Sequence, residues 1–214
     1  MLCSRVCHDV ISPVGAIVNG LEVLDDESDP SMRDVAIELI KKSAASASAR
    51  LQFCRLAFGA AGSVGAAIDT GDAEAVAKGL LETEKTSLDW KAQRQFLPKN
   101  KVKLLLNLCQ IASAAIPRGG VVEAQVVGEG ESVELVVTSR GSNAKLQTGF
   151  VELLKGGAGE NKVDAHNIQP YFAGLVAQEC SMLIDIEQTS EGFQFSARPQ
   201  TAPSTEPHPQ ATSA

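Results

Sequence analysis

Among the residues of this 214-residue chain, His8 has the type and the surroundings best suited to chemistry. A neutral imidazole is a good nucleophile near pH 7 and can accept a phosphoryl group. Asp9 follows directly, and its carboxylate can hydrogen-bond one ring nitrogen, which selects the tautomer that leaves the other nitrogen free to attack. The alternative interpretation, a solvated histidine on an amphipathic helix, is the more common one for an isolated histidine. The two candidate catalytic residues are therefore His8 and Asp9.

The residues that follow His8 indicate a surface that a partner protein could approach. At about 100° per residue, five side chains fall within about 40° of one another on one face of a helix. Small side chains on this face remove bulk where a docking protein must come within bonding distance. These five residues, which we call the acceptor strip, are His8, Ser12, Gly15, Asn19 and Glu22.

Arg5 lies one turn before His8 and is offset from it by about 60° around the helix. Its guanidinium group could stabilise a phosphate or only solvate the helix, and both interpretations stay open. The predicted partner-binding residues are Arg5, Ser12, Gly15, Ala16, Asn19 and Glu22.

Two apolar stripes cover the rest of the first predicted helix, residues 1–24. Together they form a face wider than a two-helix contact requires. A short acidic stretch at 25–30 predicts a tight connection to a second, antiparallel helix over 31–58. Two helices alone cannot cover the wide apolar faces of both, and a second copy of the hairpin is the simplest way to do so. We therefore predict a homodimer with a four-helix bundle. The stripes are Val6, Val10, Pro13, Ile17, Leu21 and Leu24, and Cys7, Ile11, Val14, Val18 and Leu21.

A glycine-rich stretch at 59–65 predicts a domain boundary. Beyond it helices alternate with strands, and helices gathered on one face of a mixed sheet make an α/β sandwich, so the chain falls in the α+β class. The predicted domains are a helical hairpin (1–60), a sandwich (65–198) and a disordered tail (199–214) rich in Pro, Ser, Thr and Ala. Helices are predicted at 72–85, 100–116, 150–154 and 168–180, and strands at 86–91, 121–127, 133–138, 183–188 and 193–197.

Charge and composition exclude several classes of function. The net charge of -7 and the pI near 5.0 would repel a phosphate polymer or an anionic bilayer, so neither nucleic acid nor a membrane is an expected partner. The sequence has no apolar run of membrane-spanning length and no secretory N-terminal region, which predicts a cytoplasmic protein. The five cysteines are expected to be reduced thiols. Cys3, Cys7 and His8 lack a fourth ligand, and we expect no metal in this chain.

The segment His8–Pro13, with the sequence His-Asp-Val-Ile-Ser-Pro, resembles the phosphoacceptor box of two-component histidine kinases. In that family the box lies on a dimeric four-helix bundle, the histidine is phosphorylated and the acidic residue after it assists proton transfer. The resemblance implies that His8 is the acceptor, that Asp9 assists it and that Pro13 bends the helix. The chain begins close to this box, so we expect the first helix to be shorter than is usual in the family.

The second predicted domain resembles the ATP-binding domain of the same kinases, with its nucleotide motifs altered. Asn107 matches the first of two asparagines four positions apart, but Ile111 stands where the second, a Mg²⁺ ligand in that family, should be. Residues 139–143 offer no aspartate for the Asp-x-Gly-x-Gly motif that reads adenine, and residues 167–172 replace the later Gly-x-Gly loop. The loss of a metal ligand together with the adenine acceptor implies that the chain does not bind ATP.

Nearly the whole chain to about residue 198 resembles the ChpT histidine phosphotransferases of a bacterial cell-cycle phosphorelay, on the stretches 2–13, 15–17, 19–21 and 51–60. Members of this family are dimers that pass a phosphoryl group from the receiver domain of the hybrid kinase CckA to the response regulators CtrA and CpdR. The resemblance implies the same relay through a phosphohistidine, with no cofactor in this chain and Mg²⁺ supplied by the receiver domain.

We further predict that the second domain helps receivers dock. Tyr171 and Phe172 are candidate contacts, although core packing is the stronger prediction for Phe172. Two functions of other classes stay open: an active ATP-dependent histidine kinase and a non-catalytic dimeric adaptor for receiver domains.

Overall fold

The computed structural model describes residues 1–25, 30–59, 66–157, 163–164 and 167–200. A hairpin of two long helices is followed by a mixed sheet with packed helices, which confirms the predicted α+β class and the order of its parts. The helices are α1 (Leu2–Asp25), α2 (Pro30–Ala57), α3 (Thr70–Leu81), α4 (Lys99–Ala114), α5 (Phe150–Leu154) and α6 (Ile168–Glu179). The strands are β1 (Ala67–Asp69), β2 (Thr86–Trp90), β3 (Phe96–Pro98), β4 (Gly120–Val127), β5 (Glu134–Arg140), β6 (Met182–Gln188) and β7 (Gly192–Pro199).

The first helix packs on the second along one of its two apolar stripes. Pro13 and Gly20 are the buried residues of α1, and a Cβ atom added to Gly20 would lie 2.7 Å from Cγ1 of Ile40. The other stripe stays exposed, since Ile11 is 69% and Val18 49% accessible to solvent. The hairpin therefore leaves an apolar face uncovered, as the sequence indicates. The homodimer and the four-helix bundle that would cover this face stay predictions.

The main sheet has five strands in the order β2-β4-β5-β7-β6. The β2 and β4 strands pair in parallel, with Leu88 opposite Val122, and the other neighbours pair antiparallel. Alternate residues of each strand point to one face, where Val122, Val137 and Phe195 are fully buried. The core lies between this face and α3, α4 and α6, which all contact the sheet. The predicted sandwich with its helices on one face is confirmed.

The C-terminal end of α2 belongs to the core of the sheet domain. Phe53 is fully buried within that core, and Phe58 packs edge-to-face on Phe172 with ring centroids 5.6 Å apart. This contact confirms the prediction that Phe172 is a packing residue. The hairpin and the sheet domain are therefore joined by a shared apolar cluster rather than by the connecting chain alone.

Three differences from the predicted elements have local causes. The β1 and β3 strands, which pair with each other, are too short to carry a periodic signal. The α3 helix begins before residue 72 because the Asp69 side chain accepts a hydrogen bond from the backbone of Gly71 and caps the helix there. It ends at Leu81 rather than at the predicted residue 85, since the backbone of Glu82 is extended. The tail prediction is wrong at Pro199, which pairs with Met182 in the sheet. Residues 26–29, 60–65 and 201–214, which hold most of the predicted acidic connection, domain boundary and tail, lie outside the described residues.

None of the described helices combines the length and the apolar composition that crossing a bilayer requires.

Candidate functional site

His8 lies on the surface of α1, within the first two turns of the helix, and its side chain is 84% exposed. The ring therefore has none of the packing of a core histidine in this chain, and a second protein can reach it. Its Nδ1 atom faces Asp9, so the Nε2 atom is the ring nitrogen farther from that carboxylate. This placement agrees with the predicted acceptor role.

The carboxylate of Asp9 lies between two nitrogen-bearing side chains. Its Oδ1 atom is 3.6 Å from Nδ1 of His8, which is longer than an N–H···O hydrogen bond, so the predicted hydrogen bond to the ring is replaced by a looser electrostatic contact. Its Oδ2 atom accepts a hydrogen bond from Nε of Arg5 at 3.3 Å. Because the side chains of Arg5 and Asp9 are only 25% and 24% exposed, this pair is shielded from water more than a typical surface pair.

Cys54 of α2 lies near enough to Asp9 for the charge of that carboxylate to act on its thiol. Burial raises the pKa of Cys54, and the negative charge of Asp9 raises it further. The Cys54 thiol is therefore neutral at pH 7, and the positive charge that contacts Asp9 comes from Arg5. The sequence presents Arg5 and Asp9 as separate candidates, although opposite charges four positions apart on a helix are a signal for their pairing.

The acceptor strip is exposed along its whole length, as its helical spacing predicts. Ser12, Asn19 and Glu22 are exposed, and a Cβ atom added to Gly15 would meet no atom within 4 Å. Ala16, the remaining predicted partner-binding residue, is half-buried. The strip thus offers a surface of low relief on which His8 is the largest side chain.

An apolar groove borders the acceptor strip, between α1 and the C-terminal part of α2. It includes the first members of the exposed stripe and faces away from Arg5. The groove is lined by Val6, Cys7, Val10, Ile11, Val14, Gly15 and Leu51.

On the side of Arg5, a cleft of about 90 Å³ separates α1 from the sheet domain. Arg5 forms the hairpin side of this cleft, and the ends of α4, α5 and α6 with the segment before α5 form the other. The residues from the sheet domain are Ile111, Ala114, Ala115, Lys145, Leu146, Gln147, Phe150, Gln169 and Pro170. The sequence does not reveal that Arg5 lies across a cleft from these residues, because the two sides come from segments far apart along the chain.

The cleft includes Ile111, at the position where the kinase resemblance places a Mg²⁺ ligand. Ile111 is buried and offers no oxygen ligand to a metal ion. The amide nitrogen of Asn107 donates to two backbone carbonyl groups, and the side chain of Gln169 donates to that of Gln110.

The described residues contain no group of three or more His, Cys, Asp or Glu side chains placed to hold a metal ion. Tyr171 is half-buried on α6, and its role in docking stays a prediction.

Both the sequence and the structure match known proteins. Residues 70–192 match the family model described as the histidine phosphotransferase C-terminal domain. Over 197 residues the chain is 50% identical to the protein phosphotransferase ChpT of Brucella abortus (strain 2308), covering 92% of this chain and 93% of that protein. A solved structure described as a bacterial phosphotransferase superposes with a TM-score of 0.81 at 48% identity, covering 92% of this chain and 93% of the other. The chain therefore belongs to the histidine phosphotransferase family.

Proposed function

We propose that this chain relays a phosphoryl group between receiver domains through a phosphohistidine at His8, without binding ATP. The donor is the phosphoaspartate of a hybrid-kinase receiver domain of the CckA type, and the acceptors are response regulators of the CtrA and CpdR types. The observation that carries the proposal is the placement of His8, whose side chain is 84% exposed on α1 with Nδ1 directed toward Asp9.

The transfer needs little covalent chemistry from this chain. The Nε2 atom of His8 attacks the phosphorus of the donor phosphoaspartate in line, the N–P bond forms, and the donor carboxylate leaves with the electron pair of the broken P–O bond. Positive charge develops on the ring, and the Asp9 carboxylate stabilises it from the Nδ1 side. The reverse step, with a second receiver aspartate as nucleophile, delivers the group. The Mg²⁺ that neutralises phosphoryl oxygens is held by the receiver.

The low relief of the acceptor strip serves the approach of the receiver. An in-line attack requires the reacting atoms to come within about 3–3.5 Å of each other. Gly15 has open space around its Cα atom, and Ser12 is small, so the receiver can bring its phosphoaspartate to His8 without a clash.

The sheet domain provides a surface on which receiver domains dock, and it does not supply the phosphoryl group. At the position where the kinase resemblance places a metal ligand it has the buried, apolar side chain of Ile111, which offers no oxygen to Mg²⁺. The chain works as a homodimer, in which a second copy covers the exposed stripe that includes Ile11 and Val18.

A reconstituted relay tests this function. A receiver domain labelled on its aspartate is mixed with the chain and then with a second, unlabelled receiver. We expect the wild type to gain a label that is acid-labile and alkali-stable and to pass it on, whereas His8→Ala gains none. His166→Ala and His208→Ala, at positions outside the described residues, make the same chemical change elsewhere and should transfer normally.

Three outcomes contradict the proposal. Label retained on His8→Ala would remove the acceptor assignment. Label gained from ATP alone would identify an active histidine kinase. If wild type and His8→Ala both bind receivers and support the relay equally well, the chain is a non-catalytic adaptor.

A further inference from the structure

We propose that Arg5 is a positioning residue for the acceptor histidine: bordered by the sheet domain, it orients the Asp9 carboxylate, and Asp9 in turn favours one tautomer of the His8 ring. This inference rests on the proposed function. It replaces both of the roles that the sequence leaves open for Arg5, phosphate binding and solvation of the helix.

First, the two carboxylate oxygens of Asp9 contact different side chains. Arg5 donates from Nε to Oδ2 at 3.3 Å, and Oδ1 remains directed at Nδ1 of His8 at 3.6 Å. Without the guanidinium partner the carboxylate would be free to adopt other rotamers, because its Oδ1 atom lies 3.6 Å from the exposed ring, too far for a hydrogen bond that would hold it. A charge-assisted hydrogen bond is stronger than a neutral one, so it can hold this orientation.

The second step is the anchoring of Arg5 itself. An isolated ion pair four residues apart on a helix stabilises by only about 0.3–0.5 kcal/mol and would not fix a side chain. Arg5, however, also lines the cleft against the sheet domain, where Phe150 and Gln169 lie, and three quarters of its side chain is shielded from solvent. The sheet domain therefore limits the positions that the guanidinium group can take.

The third step is the consequence for the ring. An Asp9 carboxylate fixed near Nδ1 favours the tautomer that keeps its proton on Nδ1 and leaves the lone pair on Nε2. The N–P bond then forms at Nε2, the P–O bond of the donor breaks, and the Nδ1 proton stays on the side of Asp9. Through Arg5, a domain that lies on the other side of the cleft acts on the tautomer of the acceptor.

Nitrogen NMR of histidine-labelled protein tests the inference before any phosphate is added. We expect the His8 ring of the wild type to be mainly protonated on Nδ1. Arg5→Gln should shift the ring toward the Nε2-protonated form and slow phosphoryl transfer about tenfold, with Arg5→Lys in between. Lys42→Gln breaks the exposed pair with Glu38 on α2, another cation–carboxylate pair four residues apart, and should change neither quantity.

A second variant tests the contribution of the sheet domain. Phe150→Ala widens the same cleft on its far wall, and we expect a smaller tautomer shift in the same direction. Circular dichroism and thermal unfolding show whether the fold is retained.

Two results would overturn the inference. An unchanged tautomer in Arg5→Gln with slower transfer would mean that Arg5 acts on the phosphate directly. An unchanged tautomer in folded Phe150→Ala would mean that the sheet domain does not position Arg5. Both differ from a failure of the proposed function, which shows as transfer that does not depend on His8.

Discussion

The side-chain amide of Asn107 holds the end of the second hairpin helix. Its Nδ2 atom donates to the carbonyl oxygen of Ala57, the last residue of α2, at 3.2 Å, and to that of Lys103 at 2.8 Å. The carbonyl groups of the last helical turn have no partner within the helix, so one of them is satisfied here by a residue of α4. Asn107 is fully buried. The residue that matches a kinase nucleotide motif is therefore used in this chain to fasten the hairpin to the sheet domain.

Two substitutions of Asn107 measure how much its hydrogen bonds contribute to the free energy of unfolding. Asn107→Ala should lower the free energy of unfolding by about 1–3 kcal/mol, because a buried carbonyl oxygen loses its donor. The isosteric Asn107→Asp places a carboxylate oxygen against the two carbonyl oxygens and should lose more, about 3–5 kcal/mol at pH 7. Urea denaturation at one protein concentration gives both values. An aspartate variant as stable as the alanine variant would show that the two hydrogen bonds do not operate.

Two glycines of α1 provide a matched pair for the hairpin surface. Gly15→Ala should stabilise the protein by about 0.5–1 kcal/mol, since alanine favours a helix over glycine and the space is open. The same change at Gly20 places a Cβ atom 2.7 Å from Cγ1 of Ile40 and 3.3 Å from the carbonyl oxygen of Ala36, and should destabilise by about 1–3 kcal/mol. Thermal unfolding at equal protein concentration measures both.

The rate of phosphoryl transfer in the relay assay gives a second measurement on the Gly15 and Gly20 variants. Because Gly15 lies on the acceptor strip, its methyl group should slow phosphoryl transfer from a receiver even while the fold gains stability. Equal stability changes at the two glycines would contradict the close packing of α1 on α2.

The fold could be predicted where the chain carries a periodic pattern. Apolar residues recur every three or four positions in the hairpin and alternate in the strands of the main sheet, and these elements were placed within a few residues. The β1 and β3 strands carry no such pattern. They are held by contacts between separate segments, such as the hydrogen bond from the hydroxyl group of Thr70 to the carbonyl oxygen of Gln93. A local reading of the sequence cannot detect such contacts.

In the candidate site too, features within one helix could be predicted, whereas contacts between distant segments could not. The exposure of His8 and of the acceptor strip follows from helix geometry, since all of its residues share one helix. The surroundings of Asp9 do not, because Cys54 comes from the second helix and Phe150 bounds the cleft beside Arg5 from the sheet domain. The Asp9–His8 distance of 3.6 Å is also too long for the hydrogen bond that Asp9 could make to the ring, and the nearer partner of the carboxylate is Arg5, four residues earlier on the same helix.

Glu123 on β4 provides a pH-dependent contribution to stability. Hydrogen bonds from Lys91 and then Arg140 lower the pKa of Glu123 to about 2, from an ordinary value of 4.5. The folded state therefore keeps the charge at a pH where the unfolded chain has gained a proton, so the contribution is fully present above pH 4.5. It is lost as the pH falls from about 4.5 to about 2.

Glu123→Gln should therefore lower the free energy of unfolding by about 1–2 kcal/mol at pH 7, a value reduced by solvent screening of the half-exposed partners. The difference from the wild type should shrink as the pH falls below 4.5. Asp185→Asn breaks a pair with Arg198 in which both side chains are mostly exposed, and should change stability by less than about 0.5 kcal/mol. Urea denaturation between pH 7 and pH 3 gives the comparison, and a constant difference over that range would contradict the role of Glu123.

The exposed stripe of α1 predicts how the homodimer can be broken. Ile11 is 69% exposed in the single chain and lines the apolar groove beside the acceptor strip. In a four-helix bundle this side chain would be buried against the second copy, so Ile11→Asp would bury an unpaired charge and should yield a monomer. Leu183→Asp makes a similar change on β6, where the leucine is 48% exposed, and should leave the dimer intact.

Light scattering coupled to size-exclusion chromatography distinguishes the two states by mass. A wild type that is already a monomer at micromolar concentration, or an Ile11→Asp variant that stays a dimer, would show that the stripe is not the contact between copies. The charge of Asp at position 11 lies next to the acceptor strip without replacing any of its residues. Transfer by the monomer therefore also measures whether one hairpin is enough to present His8. We expect this transfer to be slower, because the second copy no longer packs on the exposed stripe of α1.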